Sequence, residues 1–463
     1  MSALVRHPAR LSVVCVSSLA LLTAGAEAAD RDLEARVDAL EDKLDAILER
    51  LDDQEATLSP QEVRDVRDAV ELIETSVPVN GSRQGFGETP PERILAEKPQ
   101  GFMSGDTEVL FGGYIKFDAS VSEFTGGELP TTSLGRDFYI PGLVPVGGES
   151  SGAVFDTNPR ETRFFWGFKT SQAGHDIGGK IELDFQVTDG GDERVSNSYE
   201  PRMRTAFLTV DNWLFGQNWS TFQDVAALPD NLDFIGPTEG TVFNRQPMVR
   251  YTRGPWQIAF EQSETLITGS DGSRMLPGDD VLPDLALRYN AQGAQGHLTI
   301  AALLRQLRAS PAMTAGDMRT ALGWGVSASG KLKVGARDDF RFMATYGEGI
   351  GRYVGVNIVN DAAFGPGDEL QTIATLSGFA AYRHFWSDRW RSNLTLSVFE
   401  ADNPVALTGD TVTRDVRSVH ANLIYALSEE VDLGVELTRA DRALENGDDG
   451  AMNKLQFSAR YGF

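Results

Sequence analysis

The last stretch of the chain, from Asn453 to Phe463, limits its possible folds more than any other. On a strand, Leu455, Phe457, Ala459, Tyr461 and Phe463 share one side and Gln456, Ser458, Arg460 and Gly462 the other, because strand side chains alternate. One face is apolar and aromatic. The other is polar with one cation. A strand of this kind, ending on an aromatic residue, points to the closing strand of an outer-membrane β-barrel, where one face meets lipid and the other meets water.

The rest of the chain tests that expectation. With 463 residues and a formal net charge of -25, there is room for a large barrel and an extension. Beyond the N-terminus no apolar run reaches the ~18 residues of a membrane helix, whereas a barrel dilutes its lipid-facing residues with polar ones. The start reads as a signal peptide over 1–28: Arg6, His7 and Arg10 form a basic head, 11–22 is apolar, and Ala26-Glu27-Ala28 is a small-x-small cleavage site. As a membrane anchor the run is too short. Cys15, the one cysteine, lies in this leader, so the mature chain has neither disulfide nor thiolate chemistry. The acidity, with no basic face in excess, argues against nucleic acid as a partner.

Residues 29–76 read as a helical, coiled-coil segment in the periplasm. Leu33, Val37, Leu40, Leu44, Ile47, Leu51, Gln54 and Leu58 alternate spacings of four and three. The alternative is a single amphipathic helix lying on another surface. Ser59, Pro60 and Glu62 start a second helix as N-cap, N1 and capping-box residues, with Val63, Val66, Val70 and Ile73 as its stripe. Residues 77–108, rich in Pro and Gly, read as a linker.

Over 109–463 the spacing predicts an all-β, sixteen-stranded antiparallel transmembrane barrel. The strands are expected at 109–118, 161–170, 178–188, 202–210, 213–219, 246–252, 256–264, 284–290, 296–307, 319–329, 338–347, 370–385, 390–400, 416–427, 431–440 and 453–463. Short and long connections alternate without exception, the pattern of tight periplasmic turns and long outer loops. A soluble sandwich or propeller would need neither the even count nor the alternation. Faces agree: Ile181, Leu183, Phe185 and Val187 alternate with Glu182, Asp184 and Gln186, and Leu394, Leu396 and Val398 with Asn393, Thr395 and Ser397. Trp166, Trp213, Trp256, Trp324, Tyr346, Trp386 and Trp390 suit interfacial girdles.

Two stretches near the start, 111–119 (FGGYIKFDA) and 160–164 (RETRF), resemble the opening of DcaP-like porins. So do 216–222 (GQNWSTF), 243–247 (FNRQP), the acidic coiled coil and the terminal Phe463. The resemblance spans nearly the whole mature chain. It implies a trimeric outer-membrane channel taking up small anions such as dicarboxylates, in contact with outer-membrane lipids. By resemblance to general porins, the third long loop, 220–245, is expected to fold inward and narrow the channel. It carries Asp224, Asp230, Asp233 and Glu239. The alternative is an outward, solvated loop.

Alternation assigns the lumen wall. Lys116, Arg163, Lys169, Arg202, Arg204, Arg250, Arg288, Arg305, Arg341, Arg383, Arg391 and Arg460 fall on polar faces, against Asp118, Glu161, Glu182, Asp184, Glu261, Asp339, Asp432 and Glu436. A cation on the lipid face at mid-membrane costs ~2–4 kcal/mol, so these side chains turn inward. A row of arginines offers forked, permanent charge to a passing carboxylate. The competing reading is a structural ladder of ion pairs.

No Ser/His/Asp or metal-spaced arrangement is visible among the few histidines, so catalysis and a bound metal are not expected. A phosphate-loop signature is missing too, and no cofactor is expected. Phosphate-selective or non-specific porins, and a structural outer-membrane protein anchored through its coiled coil, are the alternatives.

Overall fold

The computed structural model describes residues 100–187, 196–269, 271–278, 280–310, 314, 318–365 and 369–463. The leader, the coiled coil at 29–76 and most of the linker lie outside the described residues.

Sixteen strands form the wall. The first eight are β1 Thr107–Phe124, β2 Arg163–Gln172, β3 His175–Asp184, β4 Arg202–Val210, β5 Trp213–Trp219, β6 Arg245–Arg253, β7 Trp256–Glu261 and β8 Asp284–Gly293. The second eight are β9 Gly296–Ala309, β10 Arg319–Val334, β11 Asp338–Glu348, β12 Ala374–Phe385, β13 Trp390–Asp402, β14 Thr413–Ala426, β15 Val431–Leu444 and β16 Asp449–Gly462. Each pairs antiparallel with the next. The barrel closes where β16 returns to β1, in register from Tyr114↔Gly462 to Phe124↔Met452. Phe463 extends the seam by exchanging backbone hydrogen bonds with Gly113.

Burial is inverted relative to a water-soluble sheet. On β16 the apolar Leu455, Phe457 and Tyr461 are exposed, while Gln456, Ser458 and Arg460 are buried. On β13, Leu394, Leu396 and Val398 are exposed, while Arg391, Asn393, Thr395 and Ser397 are buried. Water would make that arrangement unfavourable; hydrocarbon outside and polar partners inside make it favourable. Aromatic rings near the short turns touch across strands: Trp213–Tyr251 at 4.8 Å, Trp256–Tyr289 at 4.7 Å and Trp390–Tyr425 at 4.7 Å.

The short turns all join strands at one end. In one of them Asp211 has φ 49°, a conformation Asp tolerates. Its carboxylate accepts the Asp176 N–H at 3.0 Å, which fixes the turn to its neighbour. At the same end, Gln100–Ser104 forms an extra strand along β1, folded back at Gly105 with φ 61°. The stretch read as linker up to residue 108 is therefore sheet in its last part, because β1 keeps a free edge below its seam with β16.

Wall height is uneven. β1 has 18 residues and β10 has 16, but β5 has 7 and β7 has 6. A tilted strand needs about 9–11 residues to cross a bilayer.

Candidate functional site

The interior is built by segments that turn inward. Residues 220–244, between β5 and β6, are buried almost throughout. Residues 349–363, between β11 and β12, run beneath them, joined by an antiparallel bridge between Val242 and Val354. Together they form an apolar cluster inside the barrel: Phe222, Val225, Leu228, Ile350, Tyr353 and Val354 pack on Met343, Phe379 and Phe399 of the wall. From the first long loop, Phe138 stacks edge-on against Phe234 at 5.0 Å. Gly240 lies so close to Gly378 that a Cβ there would overlap the Gly378 carbonyl. That contact takes the inward segment across to β12.

Carboxylates of the inward segment dock on wall cations. Asp230 accepts from Arg391 Nε at 2.8 Å and lies 3.6 Å from Arg383 Nη1. Asp224 meets Arg288 at 3.2 Å, His297 Nε2 at 2.9 Å and Ser329 Oγ at 2.9 Å. Asp233 meets Lys454 at 3.3 Å and accepts the Tyr139 N–H at 3.0 Å. Burial works to raise the Asp224 carboxyl, but His297, Arg288 and Ser329 outweigh it and hold it at about 2. Glu239 is fully buried beside Tyr139, and burial together with that carboxylate pushes the Tyr139 hydroxyl well above its usual range. Backbone carbonyls join in: Leu228 accepts from Arg341 at 2.5 Å and Leu232 from Lys116 at 2.6 Å.

The remaining wall cations are held by wall partners or by the chain near the inward segment. Lys116 also meets Glu161, and Asp118 at 3.2 Å. Arg163 lies 3.8 Å from Glu182 and over the Tyr114 ring, which Arg460 covers at 4.0 Å. Arg202 forks onto Asp184 with two contacts of 2.9 Å, and Arg204 reaches Glu182 at 2.6 Å and Asp184 at 2.7 Å. Arg250 donates to Thr221 Oγ1 at 2.8 Å and to the Trp219 carbonyl. Arg305 reaches Asp361 at 2.8 Å and Asp284 at 3.4 Å. Arg341 and Arg383 share Asp339, and Arg391 forks onto Asp432. Lys169 is half-buried near the turn end of β2, at the register position opposite Glu108.

The arginine excess of the wall is cancelled once the inward segments are counted. Among the described residues, eleven buried Lys and Arg face fourteen buried Asp and Glu. Lys116, Arg391 and Arg460, with Asp230 and Asp432, line a cavity of about 20 Å³, room for a water molecule.

The family model for the DcaP outer membrane protein matches residues 104–463, which takes in the whole barrel. The chain belongs to the DcaP outer membrane protein family. Among solved structures, the outer membrane channel DcaP of Acinetobacter baumannii aligns at 24% identity over 78% of this chain and 99% of its own, with a TM-score of 0.65. OmpT of Vibrio cholerae aligns at 12% identity, covering 79% and 100%, with a TM-score of 0.46. An anion-selective porin from Comamonas acidovorans aligns at 10% identity, covering 77% and 100%, with a TM-score of 0.49. The last two superpose too loosely to argue from. No match was found among curated proteins.

Within this DcaP-family barrel, sequence reading missed the second inward segment. Residues 349–363 were an ordinary outer loop by spacing alone, yet Ile350, Tyr353, Val354 and Val359 are too apolar for a solvated loop. That run was the available signal. It also missed Asp284 and Asp361, which face Arg305. Burial raises the Asp361 carboxyl, with Arg305 opposing.

Proposed function

We propose that this DcaP-family protein is a porin for passive uptake of small anionic solutes, dicarboxylates foremost, acting as a homotrimer with its coiled coil in the periplasm. One observation carries the reading: three carboxylates of the inward segment, Asp224, Asp230 and Asp233, sit on wall cations. A solute carboxylate presents the same two acceptor oxygens to the same guanidinium and ammonium groups. It exchanges with the segment's own acids, so binding stays shallow and repeated, as conduction requires. Asp224, Asp230, Asp233 and Glu239 thereby line the constriction. The wall cations Lys116, Arg163, Lys169, Arg202, Arg204, Arg250, Arg288, Arg305, Arg341, Arg383, Arg391 and Arg460 line the route.

The trimer reading draws on wall height. β5 and β7 are shorter than a bilayer crossing requires. Their outward Trp213, Phe215, Trp256 and Phe260 are exposed, and a second copy would cover them along this low side of the wall. A second functional reading, a weakly selective general porin, draws on the near balance of buried charge. Reversal potentials across a planar bilayer with a salt gradient decide between them. A clear anion preference is expected, and a cation preference overturns the proposal.

A further inference from the structure

The outward face of β14 and β15 carries charge that the channel does not use. Reading β14 toward the long-loop end, the outward residues are Leu423, Ala421, Val419, Arg417 and Asp415. On β15 they are Val435, Leu437, Arg439 and Asp441. On both strands the first charge beyond the apolar belt is an arginine. Arg417 is 73% exposed and Arg439 is 56% exposed. Val419 is paired with Arg439, and Arg417 with Asp441, so the two arginines are diagonal neighbours. Such positions lie about 7–8 Å apart, within reach of one group between long side chains.

An arginine on the lipid face is costly at mid-membrane and cheap at the interface, so this height marks the edge of the hydrocarbon. The long-loop end of such a barrel faces out of the cell. The arginines are partly engaged within the sheet. Arg439 forks onto Asp441 at 2.6 and 3.1 Å and reaches Asn453 at 3.2 Å, while Arg417 lies 3.7 Å from Asp415. Exposed pairs of this kind are weak, and a guanidinium has five N–H donors. What lies against this height in an outer leaflet is a headgroup above acyl chains. Each guanidinium is turned onto an acid of its own strand, and a phosphate offers the same forked acceptor as those acids, with more charge.

We propose that Arg417 and Arg439 form a site for a phosphate of the phosphorylated glycolipid of the outer leaflet, whose acyl chains lie on Val419 and Leu437.

The test compares the full-length protein with its R417Q/R439Q double variant, both in lipid nanodiscs. Binding is read by native mass spectrometry with three probes: a bisphosphorylated diglucosamine lipid, its dephosphorylated form and phosphatidylglycerol. The wild type should bind the bisphosphorylated probe at least about tenfold more tightly than the variant, since charge-assisted contacts are lost. Dephosphorylation should remove that difference. Unchanged single-channel conductance of the variant shows that the barrel is intact. Equal affinity of the two proteins for the bisphosphorylated probe overturns the site. Binding of phosphatidylglycerol by the wild type as tightly as the glycolipid overturns the assignment of the ligand.

Discussion

Replacing Asp230 by asparagine removes one negative charge from the inward segment and little else. The side chain is buried, 2.8 Å from Arg391 Nε and 3.6 Å from Arg383 Nη1. Burial works to raise its carboxyl, but the two guanidiniums outweigh it and hold it well below the usual carboxylate range. Neither arginine is orphaned by the change. Arg391 keeps Asp432 at 2.6 Å and Arg383 keeps Asp339. The backbone contact from Asn422 to the residue 230 carbonyl, 2.7 Å, is also kept. The stability cost is therefore about 1–3 kcal/mol, below the 3–5 kcal/mol of stranding a buried charge. The lost charge also acts on a passing anion. A unit charge about 4 Å away in water is worth roughly 1 kcal/mol, which is about a fivefold change in partition. Asp230→Asn should raise the anion-to-cation permeability ratio about fivefold, read from reversal potentials at low salt, with heat-shifted gel mobility as the folding control. An unchanged or lower ratio in a folded variant would refute the docking of loop carboxylates as a selectivity element.

Three further outcomes follow from the same geometry. The Asp224 carboxyl is lowered to about 2 from an ordinary 3.8, so its contribution is complete above pH 3.8 and lost as pH falls to about 2. Acid titration of single-channel conductance should show a change in that window, and Asp224→Asn should abolish it. Gly240→Val would drive a side chain into the Gly378 carbonyl, so the inward segment should unseat and conductance rise; equal conductance in a folded variant would count against the contact. Arg305→Gln leaves Asp361 and Asp284 without their buried partner, at about 3–5 kcal/mol. Residues 349–373 should then become protease-sensitive, and unaltered resistance would contradict the pairing.

The wall was legible because its signal is local. Strands β4 and β5 begin and end where alternation placed them, at 202–210 and 213–219. Elsewhere the pattern ran past its partner. Alternation continued to 188, yet β3 stops at Asp184, where the ladder to Arg202 ends and Val187 takes φ 56°. The strand expected from 370 begins at Ala374, because Leu370–Thr372 pairs with Ala362–Phe364 in a small separate sheet. Inward-facing cations could be assigned by face but not by partner. Asp230 and Arg391 lie 161 residues apart, and no periodicity links them. The apparent arginine surplus was a property of the wall alone, since the neutralising acids arrive on segments whose path depends on tertiary packing.

The most direct test of the account is block of the wild-type channel by a dicarboxylate, measured in single-channel currents against inorganic phosphate and a neutral solute of equal size. Succinate should interrupt the current at lower concentration than phosphate, and the neutral solute should leave it alone. If phosphate blocks first, or if all three behave alike, exchange between solute and loop carboxylates on the wall cations is contradicted.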